Sequence, residues 1–129
     1  MKTTTATYLR ELRKTFPKLA KKHGTPLFII SRTLLLEQVS RFRKLLPRVE
    51  PFYAVKANPN PDVLKVLVQA GLGFDVASPQ EIEWVLNAGA KPDKLVYANT
   101  MKRNESIEFA SKRKVNLMTF DSEDRKSVV

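Results

Sequence analysis

The sequence contains no cysteine and only one histidine, His23. Without cysteine, neither a disulfide framework nor a thiolate metal site can form. With a single histidine, a zinc site or a Ser-His-Asp triad built within this chain is not expected, so we predict no metal centre. The glycine-rich motifs GxGxxG and GxxxxGK[ST] are also absent, which removes the main support for a dinucleotide-binding or P-loop fold.

Long hydrophobic runs are missing as well. A membrane-spanning helix needs about 18 or more consecutive apolar residues, and no such stretch occurs, so we expect no contact with a membrane. The opening segment MKTTTATYLRELRKTF lacks the apolar region of a secretory signal. These two observations predict a cytoplasmic protein.

Acidic residues are few, with 13 Asp and Glu against 23 Lys and Arg, which gives a net charge of +10. Such a charge is compatible with nucleic-acid binding. However, the basic residues are spread along probable helices at polar-face spacing, and neither an RNA-binding aromatic strand nor a long basic tract is present. We therefore interpret the charge as solvated helix faces and expect no nucleic-acid partner.

The 129 residues, of which 43% are hydrophobic and 28% charged, have the composition of about one globular domain. Residues 8–22 carry apolar side chains at helical spacing, and Pro17 is predicted to bend or interrupt that helix. We divide the chain into a basic N-terminal helix, residues 1–25, and a second unit, residues 26–129, which opens with a short apolar strand at 27–30.

From residue 31 on, the sequence predicts alternating helices and strands. Ser31 is a candidate N-cap for a helix that ends near Leu45, and Asn60 caps the next helix with Pro61 at its first position. The stretch Ser78-Pro79-Gln80-Glu81 has the form of a capping box and predicts a further helix.

The predicted strands run into polar residues spaced 19, 24 and 22 positions apart: Lys56, Asp75, Asn99 and Asp121. This spacing is typical of βαβ units on a parallel sheet. Four such units fit either a small open sheet or half of an eight-stranded barrel. Because ligands bind at the carboxyl ends of parallel strands, we expect the four residues on one rim. Strand alternation predicts that Ala54 points to the same side as Lys56.

Four motifs then appear in order: YAVKAN, GFDVAS, YANTMK and MTFDS. With them the chain resembles the N-terminal half of the ornithine, lysine and diaminopimelate decarboxylases, over roughly residues 25–125. These enzymes use pyridoxal phosphate (PLP) on an alanine-racemase-like barrel. The stretches LPRVEPFYAVKAN and GFDVASPQEIE are most similar to the ornithine decarboxylase branch. In YANTMK, Thr100 stands where the family commonly has proline, which concerns the loop shape.

The resemblance implies an α/β fold: a partial TIM-type (β/α) barrel of about four units, preceded by the N-terminal helix and a short strand. Residues 26–129 would then be an incomplete PLP-binding barrel domain, with strand 27–30 belonging to the family's β-domain. The implied function is decarboxylation of a basic amino acid, ornithine or lysine, to the diamine of polyamine biosynthesis. A homodimer is implied for the complete enzyme.

The resemblance also implies the site residues. Lys56 would carry PLP covalently, Asp75 would lie in the PLP pocket where its charge helps hold the lysine nitrogen protonated, and the small Ala54 would leave room under the flat ring. Without the resemblance, Lys56 is equally a lysine that reaches solvent from a strand end, and Asp75 a polar strand terminus. The capping box is enough to explain Glu81. Hydrogen bonding within loops is enough to explain Asn99 and Asp121.

The family's remaining parts have no counterpart in the 129 residues. These are a histidine stacked on the ring, a glycine-rich phosphate loop, an acidic residue on the pyridine nitrogen and the C-terminal domain. We therefore expect a truncated half that is inactive alone, with four apolar side chains left without partners: Val55, Phe74, Val96 and Phe120. The alternative is a non-catalytic relative that binds or regulates a full-length decarboxylase.

Overall fold

The computed structural model describes residues 5–122, and of residues 5–8 only the backbone. The first element is helix α1, Thr5–His23, which ends at Gly24 in the left-handed conformation (φ 81°). The helix continues through Pro17 without interruption, and the alternative that Pro17 bends it remains a prediction. Proline removes one helical hydrogen bond, here the one that the Arg13 carbonyl would accept. Arg13 is exposed, so water can solvate this carbonyl instead.

The strand predicted at residues 27–30 does not form among the described residues, and its assignment to the family's β-domain remains a prediction. The segment lies outside every strand of the described residues. Its side chains are partly in solvent, with Phe28 82% and Ile30 42% exposed. A strand needs a neighbouring strand to pair its backbone groups, and within residues 5–122 no strand is paired with this segment.

After α2, Arg32–Leu45, the chain alternates between strands and helices. Three strands form one parallel sheet in the order β1-β2-β3. The elements are β1 Phe52–Ala54, α3 Pro61–Gln69, β2 Gly73–Val76, α4 Pro79–Asn87, β3 Leu95–Tyr97 and α5 Asn104–Lys112, with single 3-10 turns at Val55–Ala57 and Pro92–Lys94. Parallel strands joined by crossover helices are the architecture that the spacing predicted.

The fourth predicted strand forms only in part. Residues 115–120 are joined to the sheet by one parallel bridge between Tyr97 and Met118. Two hydrogen bonds make it, from the Tyr97 N–H to the Leu117 carbonyl (2.8 Å) and from the Thr119 N–H to the Tyr97 carbonyl (3.1 Å). The prediction of four strands is therefore corrected to three strands and a bridge.

The predicted helix caps are confirmed. The Ser31 hydroxyl accepts a hydrogen bond from the Leu34 N–H at 3.3 Å, and Asn60 Oδ1 accepts from the Asp62 N–H at 2.9 Å. Ser78 accepts from the Glu81 N–H at 3.2 Å. Because these bonds satisfy donors that a helix leaves unpaired at its start, the helix starts follow from short local sequences.

The core lies between one face of the sheet and the helices. Alternate strand residues supply it, among them Phe74, Val76, Leu95 and Tyr97, which pack with side chains of α3 and α4 such as Leu64 and Ile82. Val55 and Phe74 are fully buried here, so the prediction that they lack partners is wrong. Of the other two, Val96 is half-buried and Phe120 is 51% exposed.

The opposite face of the sheet carries Phe52, Ala54, Gly73, Asp75 and Val96, and is called the Asp75 face below. Phe52 lies beside Gly73 across the β1–β2 pair. A Cβ atom at Gly73 would be 2.5 Å from the Phe52 ring, so glycine leaves the space that this ring occupies.

Candidate functional site

Asp75 lies at the centre of a row of three side chains on the Asp75 face. It is the register partner of Ala54 on β1 and of Val96 on β3. Its side chain is half-buried and makes no hydrogen bond or ion pair within residues 5–122. The strand does not end at Asp75 as predicted but one residue later, at Val76. A carboxylate thus stands between two apolar neighbours and remains available to a ligand.

Lys56 lies in the 3-10 turn Val55–Ala57, directly after β1, which ends at Ala54 and not at Lys56. The prediction that Ala54 and Lys56 share a side rested on strand alternation, which ceases to apply where the backbone leaves the extended conformation. The Lys56 side chain is exposed and has no hydrogen-bond or ion-pair partner in the described part of the chain. The turn contacts β2, the strand that carries Asp75.

Of the other two predicted rim residues, Asn99 follows a strand and Asp121 follows the bridge. Asn99 comes after β3, where its Nδ2 donates to the Ala77 carbonyl at 3.3 Å and its Oδ1 accepts from the Met101 N–H at 3.1 Å. It therefore ties the loop after β3 to the loop after β2. Asp121 follows the Met118 bridge and accepts a hydrogen bond from the Ser122 hydroxyl at 3.5 Å.

Glu81 belongs to the cap of α4. Its Oε2 accepts a hydrogen bond from the Ala77 N–H at 2.8 Å, while its own N–H donates to the Ser78 hydroxyl. These reciprocal bonds are those of a capping box displaced by one residue at its start. The prediction that Glu81 serves the cap of this helix is confirmed.

Two residues beside Lys56 were not singled out from the sequence. The Tyr53 hydroxyl donates to the Asn58 carbonyl at 3.3 Å, across the turn that holds Lys56. Burial raises the pKa of Tyr53 above its ordinary value of 10.0. The sequence ANPNP indicates a bond between the Asn58 side chain and the backbone two residues on, because asparagine commonly makes such bonds. The sequence contains no comparable indication of the contact made by Tyr53.

The side chains at this rim suit a small aldehyde cofactor with a flat ring. Within the described part of the chain, Lys56 offers an amine without a competing ion pair and Asp75 a carboxylate without a partner, which could balance a positively charged atom. Ala54 places a small side chain beside Asp75. An amine that bonds an aldehyde and a carboxylate that balances charge are the groups this cofactor chemistry requires.

The fold and this rim define the class of protein: a parallel βα domain of the barrel type, with its site at the carboxyl ends of the strands. The sequence pattern of the pyridoxal-binding domain of pyridoxal-dependent decarboxylases matches residues 32–127. The chain belongs to this family, and the family's domain binds pyridoxal. The predicted resemblance and cofactor class are confirmed.

Individual relatives agree with the family. Ornithine decarboxylase of Schizosaccharomyces pombe is 45% identical over 97 residues, which are 75% of this chain and 22% of that protein. Antizyme inhibitor 2 of Xenopus laevis is 51% identical over 83 residues, 64% of this chain and 18% of that protein. The chain thus spans about a fifth of the length of these curated relatives.

The fold comparison reaches further along the chain. The crystal structure of ornithine decarboxylase from Entamoeba histolytica aligns with a TM-score of 0.86 and 31% identity, over 92% of this chain and 38% of that one. The expected fold class, part of a TIM-type barrel, is confirmed by this likeness. Among the helices of residues 5–122, none combines the length and the hydrophobicity that a membrane span requires.

Proposed function

We propose that this chain is the cofactor-anchoring part of a PLP-dependent decarboxylase that converts a basic amino acid, ornithine or lysine, to the diamine of polyamine biosynthesis. The observation that carries the proposal is the amine of Lys56, which has no partner within residues 5–122, on a turn against β2, the strand of Asp75. The substrate class is supported by the names of the relatives, which are ornithine decarboxylases in yeast and amoeba.

Each residue has a distinct part in this proposal. Lys56 anchors the cofactor covalently through Nζ and holds or releases a proton at that atom. The Asp75 carboxylate balances positive charge, and its effect is strengthened because it is half-buried. The small side chain of Ala54 leaves room for a flat ring next to Asp75. When bound, PLP supplies the electron sink that accepts the electron pair left as CO2 departs.

The same proposal includes the prediction that the 129 residues do not decarboxylate on their own. Residues 5–122 contain three strands and one bridge, whereas a closed barrel of this type has eight strands. A chain without closure leaves one side of the cofactor open to water. The homodimer and the cytoplasmic location expected for the complete enzyme also remain predictions.

The proposal is tested by replacing the matching segment of the Schizosaccharomyces pombe enzyme with residues 1–129 and measuring release of CO2 from ornithine and from lysine. We expect turnover that Lys56→Ala abolishes and that Lys65→Ala, on the exposed side of α3, leaves unchanged. Activity that survives Lys56→Ala would refute the assignment. Turnover by the purified 129-residue chain at an enzymatic rate would refute the requirement for the remaining barrel.

The second candidate function is a non-catalytic relative that binds or regulates a full-length decarboxylase. It is favoured by the 51% identity to antizyme inhibitor 2. Under this alternative, adding the 129-residue chain to a full-length decarboxylase changes that enzyme's activity, and Lys56→Ala has no influence on the change. Under the first proposal, Lys56→Ala abolishes decarboxylation.

A further inference from the structure

Asn58 uses three of its polar groups to hold the turn that contains Lys56. Its N–H donates to the Val55 carbonyl at 3.1 Å, which closes the 3-10 turn. Its carbonyl accepts the Tyr53 hydroxyl at 3.3 Å, and its Oδ1 accepts the Asn60 N–H at 3.0 Å. One residue therefore bonds to the strand before Lys56, to the turn itself and to the segment that follows.

Tyr53 fixes the strand side of this arrangement. It lies one residue before the end of β1, and its ring meets the Phe74 ring edge-on, with 6.4 Å between centroids and 83° between planes. Phe74 is fully buried in the core. The hydroxyl that reaches Asn58 is thus carried by a ring packed against a fixed neighbour, so little side-chain freedom remains to be lost when the bond forms.

Asn60 fixes the helix side. Its N–H is bonded to Asn58, and its own Oδ1 accepts from the Asp62 and Val63 N–H groups at 2.9 and 3.4 Å as the N-cap of α3. A continuous series of hydrogen bonds therefore runs from the core-packed ring of Tyr53, through Asn58, to the start of α3. The backbone of Lys56 lies inside this series.

We infer that Tyr53 and Asn58 are positioning residues that hold the Lys56 turn in one conformation before any cofactor arrives. A lysine side chain is long and flexible, so the reach of its amine is set by where the backbone holds Cα. A displacement of about 1 Å at a reacting group can cost on the order of a hundredfold in rate. The inference rests on the proposed function only for the role of Lys56; the preformed turn stands on the hydrogen bonds alone.

The experiment uses three substitutions in the 129-residue chain. Tyr53→Phe removes the hydroxyl and keeps the ring, Asn58→Ala removes Oδ1, and Asn58→Asp keeps an acceptor oxygen in that place. Matched controls remove the same groups elsewhere: Tyr97→Phe on β3 and Asn116→Ala at an exposed position.

The first readout is hydrogen exchange at the Asn58 amide without cofactor. A single hydrogen bond contributes a factor of about five to an equilibrium, so Tyr53→Phe and Asn58→Ala should each speed exchange there about fivefold, and Asn58→Asp should restore most of the protection. The second readout is the ratio of PLP label, trapped by borohydride, on Lys56 to that on the exposed Lys65 of α3. This ratio should fall at least severalfold in Tyr53→Phe and stay unchanged in both controls.

Unchanged exchange at Asn58 in both Tyr53→Phe and Asn58→Ala would overturn the inference and leave the proposed function intact. Wild-type chain that shows no preference for Lys56 over Lys65 would count against the proposed function, while the exchange result would still decide the inference. If Asn58→Ala unfolds the chain, exchange in Tyr53→Phe, which deletes one oxygen and no packing carbon, decides between the two outcomes by itself.

Discussion

Ala54 and Asp75 are register partners in the parallel pair β1–β2, and Ala54 is the last strand residue before the turn that holds Lys56. This pairing puts the carboxylate on the face opposite the apolar core, next to the smallest side chain of the row. The methyl group of Ala54 neither bonds the Asp75 carboxylate nor covers it, so this half-buried acid, which has no ion pair within residues 5–122, has open space beside it.

Asp75→Asn tests whether the charge of Asp75 matters for turnover. In the fused decarboxylase, the amide keeps the shape of the side chain and removes the charge. We expect the cofactor label on Lys56 to persist and kcat to fall on the order of tenfold or more, since about 1.4 kcal/mol of lost charge stabilisation is tenfold in rate. Asp62→Asn, at the exposed start of α3, is the control. Equal kcat in the two variants would exclude an electrostatic role for Asp75.

Glu81→Ala tests the cap of α4. Loss of the bond from the Ala77 N–H should lower the free energy of unfolding by about 1 kcal/mol, measured by urea denaturation, with Glu81→Gln losing less because it retains an acceptor. Gln80→Ala, at an exposed position of the same helical turn, should change little. A large loss of turnover with unchanged stability would instead assign Glu81 to the chemistry.

The phenol of Tyr53 predicts a pH dependence of stability. Burial raises its pKa above 10.0, so the folded chain keeps the proton at a pH where the unfolded chain has released it. The contribution is therefore complete below the unfolded pKa and is lost as the pH rises through the folded pKa. Urea unfolding from about pH 9.5 to about pH 11 should show a steeper loss in wild type than in Tyr53→Phe. Parallel curves would contradict the raised pKa.

The 129-residue chain should self-associate. Phe28 is 82% exposed and Phe52, on the Asp75 face, is 39% exposed, and within the described residues one edge of β1 is unpaired. Leaving a phenylalanine in water costs about 1.5–3 kcal/mol. Sedimentation should show species larger than a monomer. Phe52→Ser, on β1, the strand with that unpaired edge, should reduce them more than Leu45→Ser on α2, because an unpaired strand edge can pair with another copy. A monodisperse monomer that unfolds cooperatively would disprove this expectation.

The helix starts were predictable because their causes are local. In each case the groups that bond each other in the structure lie within four residues of sequence, at residues 60–63 and at residues 78–81. Strand ends were less predictable, because a strand extends only where a neighbour pairs it. The strand expected to reach Lys56 stops at Ala54, and residues 115–120 form a single bridge.

The sequence could name candidate site residues but not their local backbone conformation. The YAVKAN and GFDVAS motifs pointed to Lys56 and Asp75 as candidates, and their roles remain predictions. The alternation argument for Lys56 does not apply, because the chain turns after Ala54. The contact from Tyr53 to Asn58 joins residues five positions apart by a hydroxyl and a carbonyl. Neither periodicity nor turn propensity encodes such a contact, since it depends on where Phe74 holds the tyrosine ring.

Lys56 is the residue on which the proposed function depends, because it is the lysine assigned to bear the cofactor. The most direct measurement is to mix the 129-residue chain with PLP, reduce with borohydride and map the labelled lysines by peptide mass spectrometry. We expect a label concentrated on Lys56 and lost in Lys56→Ala, above the background on exposed lysines such as Lys18, Lys22 and Lys44. A label spread evenly over these lysines, with the total unchanged in Lys56→Ala, would contradict the assignment.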